Sequence, residues 1–279
     1  MLKLPRSTFY YKQKLAARKA RDADLLRDIE IILMDFPYYG YRPTTRALRR
    51  MGHVVSRKTV QRIMQENNLQ CRKRKSFAVQ TTDSNHAYPI YPNLLEHFRV
   101  EQLDRVWVAD ITYIRIDHGF VYLAVILDLC SRRAIGYALS TRIDKRLALS
   151  ALQMALEQRK PPVGCIHHSD RGSVYASHEY IDLLRANGLQ ISMSRKGNPY
   201  DNAVAESFMK TLKYNNVYLS DYRTWHDVVD NVLGFIADVY NAKRLHSSIG
   251  YVPPNEFEAN LIAQGGEVSA NQLPPPLVA

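Results

Sequence analysis

The chain has little of what would place it in a membrane or an oxidising compartment. No apolar run in its 279 residues approaches the length that crosses a bilayer. The N-terminal Met1-Leu2-Lys3-Leu4-Pro5-Arg6 is basic with no apolar stretch behind it, so no signal peptide is expected. Only three cysteines occur, Cys71, Cys130 and Cys165. Their odd number and wide spacing argue against a disulfide framework and lack the pairing of a zinc site. Nine histidines are scattered, and the one adjacent pair, His167-His168, has no paired cysteines near it. A reducing, cytoplasmic setting is the expectation. Acids are scarce in one region: residues 1–100 hold 20 Lys and Arg against 8 Asp and Glu, whereas residues 101–279 hold 18 against 19. The excess behind the net charge of +11 therefore lies in the first third. That asymmetry points to a polyanionic partner there, most plausibly nucleic acid. A solubilising surface would explain scattered charge, but not Arg72-Lys73-Arg74-Lys75, whose adjacent cations repel unless a partner neutralises them.

What is present is enough apolar content for a true core, at 46%. Residues 1–20 read as a short basic arm. Leu25, Leu26, Ile29, Ile32 and Leu33 then recur at helical spacing over Asp22–Asp35, and Pro37 and Gly40 end that helix. A second helix is expected from Pro43 to Met51, stopped by Gly52. Ser56 can cap a third, Arg57 to Asn68, with Val60, Ile63, Met64 and Leu69 inward and Arg57, Lys58, Gln61, Arg62 and Gln65 outward. Short helices with a polar-basic last member fit a helix-turn-helix, whose later helix enters the major groove; a plain three-helix bundle has the same periodicity. Residues 71–100 read as a basic and polar linker, one that could lie along DNA. Strand patterns follow at Val106–Asp117, Gly119–Leu129 and Arg133–Leu139, with Asp117-His118-Gly119 as a hairpin turn. A helix over Asp144–Lys160 leads to a strand at Val163–Ser169. A helix capped by Ser177 and closed by Gly188 precedes a strand at Leu189–Ser194. Helices from Asp201 to Tyr214 and from Thr224 to Arg244 complete the pattern. After Pro253-Pro254 the chain is expected to be loosely ordered, with 261–279 a flexible tail. The order implies an α/β sheet with helices on both faces.

Three acids stand out in this frame. Asp110 lies within Trp107-Val108-Ala109-Asp110-Ile111-Thr112-Tyr113, on the face shared by Val106, Val108 and Thr112. Asp170 ends the strand Cys165-Ile166-His167-His168-Ser169, where ligands gather in α/β sheets. Glu206 sits on a helix with Asn202, Lys210 and Lys213 on its face. Any one of them alone reads as a hydrogen-bonded strand-end acid or a surface Glu–Lys pair. Together they make a set of oxygen donors for divalent cations, a common device for displacement at phosphorus. The basic loop holding Arg195 and Lys196, with Lys210 and Lys213, can then grip phosphates around the scissile bond.

These residues resemble the retrovirus-integrase-like DDE transposases of bacterial insertion sequences, in particular the OrfB-type product. The likeness is carried by Trp107–Tyr113 and by His168-Ser169-Asp170-Arg171-Gly172-Ser173-Val174-Tyr175. It continues through Ser192–Ala203, Glu206-Ser207-Phe208, Tyr240–Tyr251 and Pro253-Pro254. Tyr39-Gly40-Tyr41-Arg42 and the helices after it resemble the helix-turn-helix-like segment that precedes that core. The resemblance implies a ribonuclease-H-like integrase catalytic core, a mixed five-stranded sheet flanked by helices, over 101–260. It implies an all-α helix-turn-helix-like DNA-binding domain over 1–70. It assigns catalysis and metal binding to Asp110, Asp170 and Glu206, with Lys213 at a usual basic position. The cofactor would be Mg²⁺, two ions, with Mn²⁺ able to substitute. The partner would be double-stranded DNA, element ends and target, bound by a homo-oligomer in the bacterial cytoplasm at the nucleoid. DNA contacts are expected from Lys210, Lys213, Arg195, Lys196, Arg57, Lys58, Arg62, Arg72, Lys73, Arg74 and Lys75. The retroviral His/His/Cys/Cys zinc module and the upstream part made by OrfA are lacking, so OrfA is a candidate partner or fusion. Two other readings stay open: an incomplete OrfB fragment that mainly binds or regulates element ends, and a nuclease or resolvase that cuts without joining.

Overall fold

The computed structural model describes residues 6–71, 88–96, 100–195 and 202–264, and the chain divides into two compact units, Met1–Lys75 and Ser76–Ala279. In the first unit, α1 runs unbroken over Arg6–Asp35. The expected basic arm is therefore mostly helix: no Gly or Pro interrupts the chain between Pro5 and Pro37, and Ala, Leu, Lys and Arg favour helix. Leu25, Ile29 and Ile32 are buried. The next helices are α2, Tyr41–Arg50, and α3, Arg57–Glu66. Gly52, at φ 97°, ends the first of them in the left-handed region that glycine favours. Ser56 caps α3, its Oγ accepting from the Thr59 N–H at 3.1 Å. Val60, Ile63 and Met64 are buried, while Leu69 is half-buried.

The second unit is built on a five-stranded sheet. Its strands are β1, Val106–Ile116; β2, Gly119–Asp128; β3, Ala134–Ser140; β4, Ile166–Ser169; and β5, Gln190–Met193. Two tight connections make β1, β2 and β3 an antiparallel meander. Helix α4, Lys145–Arg159, then carries the chain across, so β4 pairs parallel with β1 on its other side and β5 pairs parallel with β4. The order is β3-β2-β1-β4-β5, which puts β1 at the centre. Strand β4 starts at Ile166 rather than Val163, because a turn through Gly164, at φ 89°, precedes it.

The alternation of β1 sorts the helices. Val106, Val108 and Ile114 share a core with Phe208 and Leu212 of α6, Ala203–Leu212, and with Val228 and Val232 of α7, Trp225–Gly234. Trp107, Ala109 and Ile111 face Leu147, Ala151 and Leu152 of α4 and Tyr180 and Leu184 of α5, His178–Ala186. Both α6 and α7 run on into wider π-helical turns, Lys213–Val217 and Phe235–Asn241.

Two expectations change here. Residues 88–96, placed in the linker, lie along β5: Met193 N–H donates to the Pro92 carbonyl at 3.4 Å, and Leu94 N–H to Ser192 Oγ at 2.9 Å. The segment covers backbone groups that an edge strand would leave unpaired. Residues 265–279 of the expected tail lie outside the described residues, but residues 254–263, expected to be loosely ordered, form α8, Pro254–Ala263. Its Glu258 is buried and binds Ser131 Oγ at 2.7 Å, Arg133 at 2.7 Å and Arg159 at 2.8 Å. Arg159 continues to Asp104 at 2.9 Å, and Asp104 accepts from the Trp107 indole at 3.0 Å. A carboxylate with these partners is held as the ion, below its ordinary range, despite burial.

Helix α4 approaches β3 closely at Gly136, where an added Cβ would stand 2.2 Å from the Ala151 carbonyl oxygen and 2.8 Å from Ala155 Cβ. Backbone cannot yield as a flexible side chain can. Gly136→Ala should therefore lower stability by roughly 2–3 kcal/mol, read as a fall in the urea midpoint. An unchanged midpoint would show that α4 does not sit this close.

Candidate active site

Asp110 occupies the middle of the central strand, opposite Val125 of β2, on the face that α6 covers. Strand β4 pairs with β1 only at Val106, Trp107 and Val108. The acid thus lies just past the end of that ladder. Asp170 is the first residue after β4, carried to the same place by the parallel pairing. Each carboxylate is oriented by its own backbone: Asp110 Oδ1 accepts from Ile111 N–H at 2.8 Å, and Asp170 Oδ1 from Gly172 N–H at 2.9 Å. Gly172 suits that turn, since a Cβ there would stand 3.0 Å from Asp170 Oδ1.

The acids feel one another. Asp110 is pushed up to about 7, first by burial, then by the charge of Asp170 and less by that of Glu206; the Ile111 hydrogen bond and the Lys213 charge act the other way. Glu206 is exposed on α6, and desolvation raises its pKa. Lys213 is half-buried; burial lowers its pKa and Asp110 opposes that. Its ammonium stands 4.3 Å from the centre of the Tyr113 ring. The fold therefore brings Asp170 to the end of the ladder beside Asp110, and the charges of Glu206 and Lys213 also reach Asp110.

The donor set is all carboxylate oxygen, which suits a hard divalent cation. The mutual repulsion that raises Asp110 is what such a cation would relieve. Among the described residues, no three His, Cys, Asp or Glu side chains already stand in cation-holding geometry.

Behind the acids the floor is a set of buried polar groups that the linear pattern did not single out. His168 bridges β4 and β5, with Nδ1 2.8 Å from Ser192 Oγ and Nε2 3.1 Å from Ser194 Oγ. His167 Nε2 lies 2.9 Å from the Tyr180 hydroxyl, and burial pushes its pKa down to about 3, so it stays neutral. The Tyr175 hydroxyl is buried with no hydrogen-bond partner among the described residues; burial raises its pKa, with Tyr180 and the charges of Asp110 and Asp170 adding to it. Arg171 Nε donates to the Ser194 carbonyl at 2.7 Å, fastening the end of β5 beside Asp170. Alternation could flag these side chains as buried, but not which partners they would meet.

The expected DNA-contacting residues fare unevenly. Lys210 is exposed on α6. Arg195 is exposed and paired with Glu96 at 2.7 Å, a surface pair of little strength. Arg57 and Lys58 are exposed on the first turn of α3. Arg62 is not simply outward: it bonds Asp22 of α1 and Glu66 of α3, each at 2.7 Å, and joins the two helices. A short third helix leaves its flank against α1, so this cation meets acids before any phosphate. Lys196 and Arg72, Lys73, Arg74 and Lys75 lie outside the described residues.

Comparison with known proteins gives a consistent picture. Residues 101–199 and 187–254 match the integrase core domain, and residues 19–77 match an HTH-like domain. The 31 kDa protein of insertion element IS600 from Shigella sonnei is 40% identical over 244 residues, covering 86% of this chain and 89% of that protein. The transposase of insertion sequence IS904 from Lactococcus lactis is 36% identical, covering 79% and 87%. Transposase InsF of IS3A from Escherichia coli is 38% identical, covering 81% and 78%. Among solved structures, a chain of the simian T-cell lymphotropic virus intasome complex aligns at 16% identity with a TM-score of 0.49, covering 86% of this chain and 76% of that one.

The placement of Arg62 separates two roles on α3. Arg62→Ala should cost roughly 1 kcal/mol of thermal or urea stability, whereas Arg57→Ala and Lys58→Ala should leave stability within about 0.5 kcal/mol. The reverse order in a urea titration would mean that Arg62 does not hold α1 to α3.

Proposed function

Since this chain belongs to the insertion-sequence transposases with an integrase core and an HTH-like domain, we propose that it cuts DNA at the ends of its element and joins them to target DNA through Asp110, Asp170 and Glu206. The observation that carries this reading is the placement of Asp110 in the central strand just past the last β1–β4 pair, where Asp170 is the first residue after β4; the charges of Asp170 and Glu206, which push Asp110 up, support it. Mg²⁺ is the expected cofactor, two ions with Mn²⁺ as substitute, held by the three carboxylates. Bound there, divalent cations supply Lewis-acid polarisation of the phosphodiester and ease deprotonation of the attacking hydroxyl.

The chain's own residues do the rest. Asp110 and Asp170, oriented by the Ile111 and Gly172 N–H groups, form the fixed side of the site. Glu206, at the helix surface, closes the set from α6. The Lys213 ammonium beside Asp110 is placed to meet a phosphate oxygen, and Lys210 one turn earlier to meet the flanking backbone. Water and then a DNA 3′-hydroxyl serve as nucleophiles, so no covalent link between protein and DNA is required. Arg57 and Lys58, with the basic run at 72–75, give the N-terminal unit its part in holding element ends. A homo-oligomer on paired ends, and OrfA as partner or fusion, extend the same proposal.

Asp110→Asn, Asp170→Asn and Glu206→Gln should each lower strand cleavage and strand transfer by roughly 10³-fold or more, with DNA affinity within about threefold. Labelled element-end duplexes read both. Full cleavage in any one variant would remove that acid from the proposal, and cleavage without joined product in the wild type would make the chain a nuclease.

The raised Asp110 carboxyl also sets a pH dependence. Its ordinary value is about 3.9. Between there and about 7 the folded chain keeps a proton that the unfolded chain has lost, so stability falls as pH rises through that window and levels off above it. A cation binds the deprotonated form. Adding Mg²⁺ should therefore raise the melting temperature at pH 8 and have little effect at pH 5. An equal shift at both would mean that the cation binds elsewhere.

A further inference from the structure

The start of α6 is attached to β1 by a side chain that gives up its usual role. Asn202 stands at the N-cap position, where an asparagine oxygen ordinarily accepts a backbone N–H from the first turn. It makes no such capping bond. Instead its Nδ2 donates to the Ala109 carbonyl at 3.1 Å, in buried surroundings, one residue before Asp110. With Nδ2 spent on an acceptor, the orientation of the amide is settled. Its Oδ1 is left buried with no hydrogen-bond partner among the described residues, although the residue is only 7% exposed. Losing the cap and stranding an acceptor are both destabilising. The sole return among the described contacts of this side chain is the tie to Ala109.

A second tie lies beyond the other end of α6. Lys213 follows its last residue, and the ammonium stands over the Tyr113 ring at 4.3 Å. The ring is nearly buried and is held edge-on by Phe120 at 5.5 Å. On the strand, the two tied residues are Ala109 and Tyr113, which flank Asp110. On the helix they are Asn202 and Lys213, which flank Glu206. Between them, Ala205, Phe208, Met209 and Leu212 press on the sheet, but apolar burial is non-directional and would tolerate sliding along the strand. A directed hydrogen bond and a ring-seated cation do not tolerate it.

We infer that Asn202 and Tyr113 are positioning residues, whose contacts with the Ala109 carbonyl and the Lys213 ammonium fix α6 along β1 so that Glu206 is presented to Asp110. The inference rests on the proposed role of the three acids. It assigns no chemistry to Asn202 or Tyr113 themselves. They act by setting the distance over which two carboxylates can share a cation.

The test uses the full chain as wild type, Asn202→Ala, Tyr113→Leu and Tyr113→Phe. Mn²⁺ binding is read by electron paramagnetic resonance without DNA, single-turnover cleavage on labelled element ends, and folding by circular dichroism. Asn202→Ala and Tyr113→Leu should each weaken Mn²⁺ binding and slow cleavage by roughly ten- to a hundredfold, with DNA affinity within about threefold. Tyr113→Phe keeps the ring face and should stay within about threefold of wild type in both. Wild-type Mn²⁺ binding and rates in folded Asn202→Ala and Tyr113→Leu would overturn the inference. Tyr113→Phe behaving like Tyr113→Leu would also overturn it, because the hydroxyl and not the ring would then be what matters. If Asn202→Ala fails to fold, the Tyr113 pair decides alone. Failure of the underlying reading looks different: the wild type itself would bind no Mn²⁺ and cut no DNA.

Discussion

A carboxylate in the middle of a central strand, pressed under a helix and set beside a second carboxylate, is an electrostatic demand built into the fold. Asp110 meets it only in part. One oxygen takes the Ile111 N–H, and the Lys213 charge helps weakly, yet burial and Asp170 still raise the group to about 7. An apolar residue would pack there without that penalty. A divalent cation at the proposed site would offset the repulsion from Asp170 and Glu206 that helps to raise the bare acid.

The rest of the second unit serves to keep that demand in place. Parallel pairing of β4 with the first residues of β1 delivers Asp170 to the point where the ladder stops. His168 and Arg171 lock the ends of β4 and β5, and the apolar face of α6 packs on the side of β1 that bears Asp110. Far along the chain, Glu258 ties α8 to Arg133 and Arg159, and Arg159 holds Asp104 under Trp107 at the foot of β1. That network is buried and multiply bonded, so removing one member would leave charge uncompensated. It stabilises the strand that bears Asp110 without approaching the acids in sequence.

How much of this could be read from the chain depends on the range of the interaction. Strand periodicity put Asp110 on the face of Val106 and Val108, and the structure keeps it there under α6. Ser56 before Arg57-Lys58-Thr59 marked a helix start that forms as expected. The readings that failed involve partners remote in sequence. Arg62 meets Asp22, 40 residues away, and Glu258 meets Arg133, 125 away. Leu94 meets Ser192 across 98 residues. No local pattern encodes such pairings, so an outward arginine, a loose tail and a free linker were the natural expectations. The basic arm differs for another reason: its helix-forming residues and lack of breakers carry α1 back to Arg6. Around the proposed site, the strand positions of Asp110 and Asp170 were legible and the contacts of Asn202 and Tyr113 were not, since an N-cap pattern does not show that the cap goes unmade.

The most direct test of the central claim is a crystal structure of the chain soaked in Mn²⁺, read by anomalous scattering. The account predicts a peak between Asp110 and Asp170, with oxygens at about 2.0–2.3 Å and Glu206 turned in to join them. A peak elsewhere, or the three carboxylates unmoved around no ion at saturating Mn²⁺, would contradict it.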